Sequence, residues 1–147
     1  MHKKTSFVSG IFNVLHPGHL RLLKFAKKKS DKLIVGLESD KIIDNKIYFS
    51  EKIRSEALQH IKWIDEVIIT NDILKTIKKT KPDFVIKGKE FEGKKNNEKK
   101  ILDLFGGKLL FNSGEVLTSS DELIYNIDNN KRSILPNDYI YRYNIKL

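Results

Sequence analysis

Phe7-Val-Ser-Gly-Ile-Phe-Asn-Val-Leu-His-Pro-Gly-His19, running on to Val35-Gly-Leu-Glu-Ser-Asp40, is the stretch from which the rest of the chain can be ordered. Phe7 and Val8 form a short apolar run that stops at Gly10, the mark of a strand closed by a turn. Pro17 has its φ already fixed and lacks an N–H, which suits the first position of a helix. Leu20, Leu22, Leu23, Phe25 and Ala26 follow at helical spacing, predicting a helix from about His16 to Ser30. Lys32 to Leu37 then reads as a strand whose buried run is Leu33, Ile34 and Val35. The unit is βαβ.

Its chemistry lies at the joint. A helix start carries unsatisfied N–H groups and a partial positive charge, so phosphate binds there readily. His16 and His19 stand three apart at that start and share a helix face. Two imidazoles so placed can donate to phosphate oxygens and stabilise charge that develops during transfer. Gly18 between them removes a side chain where a ligand has to come close. Asp40 follows the next strand on the same carboxyl edge, where open α/β sheets bind ligands. A lone histidine at a helix start is more often a cap or a core-edge residue. His-x-x-His can also be half of a metal site, but with no cysteine and no third ligand at a fixed spacing, no protein metal site is expected.

The 147 residues fit one domain with a real core, and 39% hydrophobic with 32% charged residues is a globular composition. No cysteine means no disulfide framework. Met1-His-Lys-Lys has no apolar stretch behind it and no run approaches a membrane span, so a cytoplasmic protein is expected. The net charge of +9 favours anionic partners, although a lysine-rich solvated face would explain it equally well. Lys27-Lys-Lys29 and Lys94-Lys95 lack the interleaved aromatics of a nucleic-acid surface. Neither nucleic acid nor membrane is expected as a partner, and RNA binding through the basic face would show itself by a steep salt dependence.

Further along, Ser50 can cap a helix reaching about Lys62, with Ile53, Ala57, Leu58 and Ile61 as its stripe. Arg54 lies in its first turn, where a cation opposes the helix dipole. Glu66 to Thr70 reads as the third strand, with Trp63 as a packing residue before it. Asp72 can cap a helix over Ile73 to Thr80. Phe84 to Ile86 form the fourth strand, ending at Lys87-Gly88. A helix over Asn96 to Phe105 is stopped by Gly106-Gly107, and Lys108 to Phe111 are the fifth strand. Thr118, Ser119 and Ser120 precede a helix through Leu123 and Ile124, where hydroxyls can cap it or donate to phosphate. Five strand–helix alternations imply an α/β doubly wound parallel five-stranded sheet with helices on both faces. The domain is expected over 1–128, with 129–147, including alternating Tyr139, Tyr141 and Tyr143, as a docked tail or a linker.

Gly10-Ile-Phe-Asn13 with His16-Pro-Gly-His19 resembles the HxGH signature of the cytidylyltransferase-like nucleotidylyltransferases. It is similar to the adenylyltransferase part of ADP-heptose synthase and to glycerol-3-phosphate cytidylyltransferase. The resemblance continues through Leu33 to Asp40 and covers about residues 5–125. It implies a Rossmann-like fold and nucleotidylyl transfer from a nucleoside triphosphate, brought in with Mg²⁺, to a phosphorylated small molecule. Under it His16, His19 and Arg54 are catalytic, and Lys46 is the lysine that contacts triphosphate, though a solvated loop lysine is the equal alternative. Gly10, Ile11, Phe12, Asn13, Gly18, Asp40, Lys87, Gly88, Thr118, Ser119 and Ser120 are the nucleotide-binding residues. Lys89 and Glu90 depart from the family's Gly-Asp, while Phe91 keeps its aromatic position. Ser113 stands where the cytidylyltransferase arm has arginine, which tilts the choice to ATP and a sugar phosphate such as heptose 1-phosphate. A CTP-dependent enzyme for glycerol 3-phosphate or another polyol phosphate, and a non-catalytic nucleotide-binding module, are the alternatives. A homodimer, and fusion to a sugar kinase domain, are the further expectations of the resemblance.

Overall fold

Buried apolar runs make the strands, and each ends where polar residues and glycines begin. The computed structural model describes residues 2–44 and 46–112. In chain order these are β1 (Thr5–Gly10), α1 (Pro17–Lys29), β2 (Lys32–Glu38), α2 (Glu51–Gln59), β3 (Glu66–Thr70), α3 (Ile73–Thr80), β4 (Phe84–Gly88), α4 (Glu98–Asp103) and β5 (Lys108–Asn112). Single 3₁₀ turns at Asp40–Ile42 and Lys89–Phe91 follow β2 and β4 directly.

The five strands pair in parallel in the order β3-β2-β1-β4-β5. The chain therefore winds outward from β1 in one direction, then returns past it and winds outward in the other. This reversal between β1 and β4 is where doubly wound sheets open a crevice at their carboxyl edge. One face of the sheet packs Val8, Leu33, Val35, Leu37 and Ile86 against Leu23 and Ala26 of α1 and Leu58 of α2. The other packs Phe7, Ile34 and Val85 against Ile77 of α3 and Leu102 of α4. Adjacent strand residues point to opposite faces, so continuous apolar runs serve two cores at once. Gly36 belongs to the second face, where a side chain would run into the Phe7 ring. The doubly wound Rossmann-like class expected from the alternation is the one observed.

Two helices are shorter than their periodicity predicts. α2 stops at Gln59 because the His60 N–H turns back to Ala57 and Leu58, and successive tight turns then bring Ile61, Trp63 and Ile64 onto the first core. Trp63 is thus the packing residue expected of it. α4 starts late because Asn96 donates back to the Phe91 and Lys94 carbonyls, folding it into the preceding loop. Its other end tightens at Leu104 and Phe105, and Gly106 at φ +78 takes the left-handed conformation that ends it. Thr118, Ser119, Ser120, Leu123, Ile124 and the tyrosines of 129–147 lie outside the described residues. No helix among the described residues is long and apolar enough to cross a membrane.

Candidate active site

The beginning of α1 is built by its own histidines. His16 is the N-cap, in extended backbone, and its Nδ1 accepts from the Gly18 N–H at 3.0 Å. The His16 N–H in turn points at His19 Nδ1, 3.4 Å away, completing a reciprocal cap. Because His16 Nδ1 accepts, its ring proton sits on Nε2. His16 is buried and His19 half-buried, and the rings stack with centroids 3.9 Å apart. Phe12 closes the stack, its centroid 5.0 Å from that of His19. Phe12 itself has φ 49, a backbone conformation that is costly for an aromatic residue. The turn accepts this cost and buries the ring beneath the histidines.

Both imidazoles are held neutral. Burial lowers the His16 pKa, opposed by the nearby Glu90 carboxylate. Burial lowers that of His19 to about 3, with the neighbouring His16 adding to the effect and a hydrogen bond at Val14 opposing it. The unfolded chain therefore takes up protons on these rings more readily than the folded one. Their neutral burial costs nothing above about pH 6.5, and stability is lost as the pH falls from there toward about 3. Between about pH 7 and 5.5, before most carboxylates titrate, urea-unfolding free energy is expected to fall with a slope approaching about 1.4 kcal/mol per pH unit for each such proton. His19→Gln is expected to flatten that slope, and an unchanged slope in the variant would contradict the assignment.

The histidines open onto a cleft of about 600 Å³ across the carboxyl edge of the sheet. Ser9 to Asn13, with Gly18, form its floor beside them. Ile86, Lys87, Gly88, Glu90 and Phe91 from the β4 end make one wall, joined by Lys95, Asn97, Glu98 and Asn112. Glu38, Ile73 and Leu74 stand on the opposite side. Lys87 Nζ pairs with Glu98 Oε1 at 3.0 Å and lies 4.7 Å from the Phe91 ring centroid, so its charge is fixed in place. A side chain at Gly88 would collide with the Glu90 carboxylate, which lies over it. Phosphate can be met here by imidazole N–H, lysine and the backbone of a helix start.

Arg54 and Asp40 are brought together, but away from the cleft wall. Arg54 is 2% exposed and donates from Nε to the Phe49 carbonyl at 3.0 Å. Its Nη1 donates to the carbonyls of Ile11 at 2.7 Å and Glu38 at 3.0 Å, and Nη2 to Asp40 Oδ1 at 2.6 Å. Asp40 also accepts from the Glu51 N–H at the start of α2, and this bond and Arg54 hold its carboxyl below the usual range. The cation that the dipole argument left unexplained is thus a clasp over three backbone segments. Asn13 works beside it, its amide donating to the Lys46 carbonyl at 2.8 Å while its oxygen accepts from the Tyr48 N–H at 3.0 Å. Lys46 is exposed, with Nζ 4.7 Å from the Tyr48 ring centroid, and does not line the cleft. Among the described residues no three His, Asp or Glu side chains gather as a metal site.

Residues 7–110, with this turn, cleft and sheet edge, match the family model described as cytidylyltransferase-like. The chain belongs to the cytidylyltransferase-like family. It is 35% identical over 119 residues to the bifunctional protein HldE of Campylobacter fetus, covering 72% of this chain and 26% of that protein. It is 33% identical over 123 residues to an FAD synthase of Picrophilus torridus, covering 77% of this chain and 88% of that one. The chain thus spans about a quarter of the length of its HldE relatives. Among solved structures, the lipopolysaccharide core biosynthesis protein of Thermoplasma volcanium superposes with a TM-score of 0.67 at 27% identity, over 78% of this chain and all of that one.

Two features of this cytidylyltransferase-like site were not singled out from the sequence. Glu98 is an ordinary first-turn glutamate until Lys87 is seen to reach it. Glu38 had a visible signal: an acidic residue directly after a buried strand run, on the edge where ligands bind.

Proposed function

We propose that the chain transfers a nucleotidyl group from a nucleoside triphosphate, ATP favoured, to a sugar phosphate such as heptose 1-phosphate. The observation that carries this reading is the stacked, neutral His16–His19 pair at the start of α1, on the floor of a cleft at the switch point of the sheet. The likeness to HldE supports it, as do the sequence features shared with the ADP-heptose synthase arm.

The substrate is the Mg²⁺ complex of the triphosphate. An oxygen of the acceptor phosphate bonds to the α-phosphorus as the bond from that phosphorus to the bridging oxygen breaks, and pyrophosphate leaves with the electron pair. The nucleophile is already an anion, so no base has to remove a proton. What remains for the protein is alignment and charge stabilisation. His16 donates from Nε2 and His19 from its ring, both to phosphate oxygens. The backbone of Gly10 to Asn13 lies along the α-phosphate, and Gly18 leaves room for it. Lys87 faces the nucleotide from the β4 end, beside Gly88. Lys46 lies on the loop that Asn13 holds, outside the lining of the cleft, and takes no step in this transfer. Thr118, Ser119 and Ser120, which lie outside the described residues, are the further nucleotide-binding residues that the family resemblance implies. Arg54 and Asp40 act through the turn they hold, setting the direction of its peptide groups.

Pyrophosphate release measured with ATP and with CTP in parallel tests this, against heptose 1-phosphate, glycerol 3-phosphate and a flavin phosphate. The last is included because the FAD synthase likeness spans most of that protein. Release that requires both ATP and a phosphorylated acceptor is the expected result. CTP-driven release would hand the reaction to the cytidylyltransferase alternative. A tight ATP complex with no release under any pairing would make the chain a binding module instead.

A further inference from the structure

We propose that Glu38 is the specificity-determining residue at the acceptor end of the cleft, accepting an O–H or N–H carried by the group attached to the attacking phosphate. This deepens the transfer reading and rests on it for the word acceptor.

The cleft is not uniform in charge. Its lysines, Lys87 and Lys95, both lie toward the β4 end, where Glu98 pairs with Lys87 and Glu90 adds a second carboxylate. The opposite side is formed by Glu38 with Ile73 and Leu74 and carries no basic side chain among its described lining residues. A polyphosphate is drawn to the lysines, and a carboxylate repels it. Whatever lies against Glu38 is therefore uncharged or cationic, and with the triphosphate held at the histidines and lysines we assign this end to the acceptor.

Strand alternation places the side chain. Leu37 is buried in the core beneath α1 and α2, so Glu38 stands on the other face with Ile34 and Gly36, beside the start of α3. Glu38 is half-buried, and its carboxylate has no hydrogen-bond or ion-pair partner among the described residues. Burial pushes its pKa up, while the Arg54 guanidinium behind it pulls the other way. Arg54 donates to Glu38 only through the main-chain carbonyl, at 3.0 Å, which fixes the strand end without engaging the carboxylate. Of the other cleft carboxylates, Glu98 is paired with Lys87 at 3.0 Å and Glu90 is exposed to solvent. A half-buried carboxylate without a donor is costly and gains most from a ligand that brings one.

Calorimetric titration of the full chain tests this, with Mg²⁺ and an α,β-methylene analogue of ATP present. The probes are glycerol 3-phosphate, which carries hydroxyls, ethanolamine phosphate, which carries an ammonium, and ethyl phosphate, which carries neither. The wild type is expected to bind at least one donor-bearing probe about tenfold or more tightly than ethyl phosphate, and the preferred probe names the donor. Glu38→Ala is expected to bring that ratio to within about threefold, with affinity for the ATP analogue changed less than about twofold; the isosteric Glu38→Gln should fall between. A ratio unchanged in Glu38→Ala, no preference in the wild type, or equal loss of the ATP analogue would each overturn the assignment. Pyrophosphate release is run alongside with ATP. No release, together with a Glu38-dependent preference, would sink the transfer reading and leave this one standing.

Discussion

His16→Asn and His19→Gln are each expected to lower the turnover of pyrophosphate release about 100- to 1,000-fold while the melting temperature stays near that of the wild type. The magnitude is that of losing one preorganised donor to transition-state charge. The choice of substitutions follows from the double duty of these rings. His16 caps α1 through Nδ1, and His19 stands at the third helical position, where a glutamine serves the reciprocal half of a capping box. Asparagine is among the best N-caps, so His16→Asn keeps the helix start and removes only the Nε2 donor. His16→Ala would mix two effects, since losing a cap by itself costs about 1 kcal/mol. Initial rates at saturating ATP and acceptor, set beside thermal melts, separate chemistry from folding. If either variant kept more than about a tenth of the turnover, its ring would have no part in the mechanism.

Arg54→Ala is expected to be the most destabilising single change in the described part of the chain, by about 3 kcal/mol or more. Truncation strands the carbonyls of Ile11, Glu38 and Phe49, whose part-buried hydrogen bonds share one guanidinium, and leaves Asp40 without its cation. For a chain of this size that corresponds to a drop in melting temperature of roughly 10 °C. Arg54→Lys should recover little of it, because one ammonium cannot replace a planar fork that bonds in several directions. Differential scanning calorimetry gives the answer. An arginine whose only task was to meet departing pyrophosphate would behave in the opposite way: Arg54→Ala would melt like the wild type and lose turnover. That pattern would remove the clasp from this account.

The two histidine positions, the order of the elements and the sheet class were all legible in the residues, because each rests on short-range rules. Pro17 at the first helical position, the apolar runs of β1 and β2, and Asp72 before α3 act within a few residues of themselves. The helix ends of α2 and α4 were less legible, since they are decided by where Ile61, Trp63 and Phe105 must go to reach a core. The clasp was hidden for a stronger reason. Arg54 bonds to residues 43, 16, 14 and 5 positions away, and no local pattern announces that three chain segments will converge on one side chain. The sequence does show that a cation in the first turn of α2 needs a reason, and the structure supplies it. Asn13 is similar: in the signature it reads as a binding residue, and in the fold its amide ties the 46–48 segment to the turn. Glu38 lay in plain view but between more conspicuous neighbours, Gly36 and Asp40.

β1 occupies the middle of the sheet, and the turn that leads to His16 and His19 hangs directly from its end. Substitutions there disturb two ladders and both cores, so this part of the molecule has little room to drift. The groups that would sort one acceptor from another sit elsewhere, at the ends of β2 and β4, on Glu38 and on the short turn from Lys89 to Phe91. A lineage could exchange one metabolite for another by editing those flanks while the chemistry at the centre stayed intact.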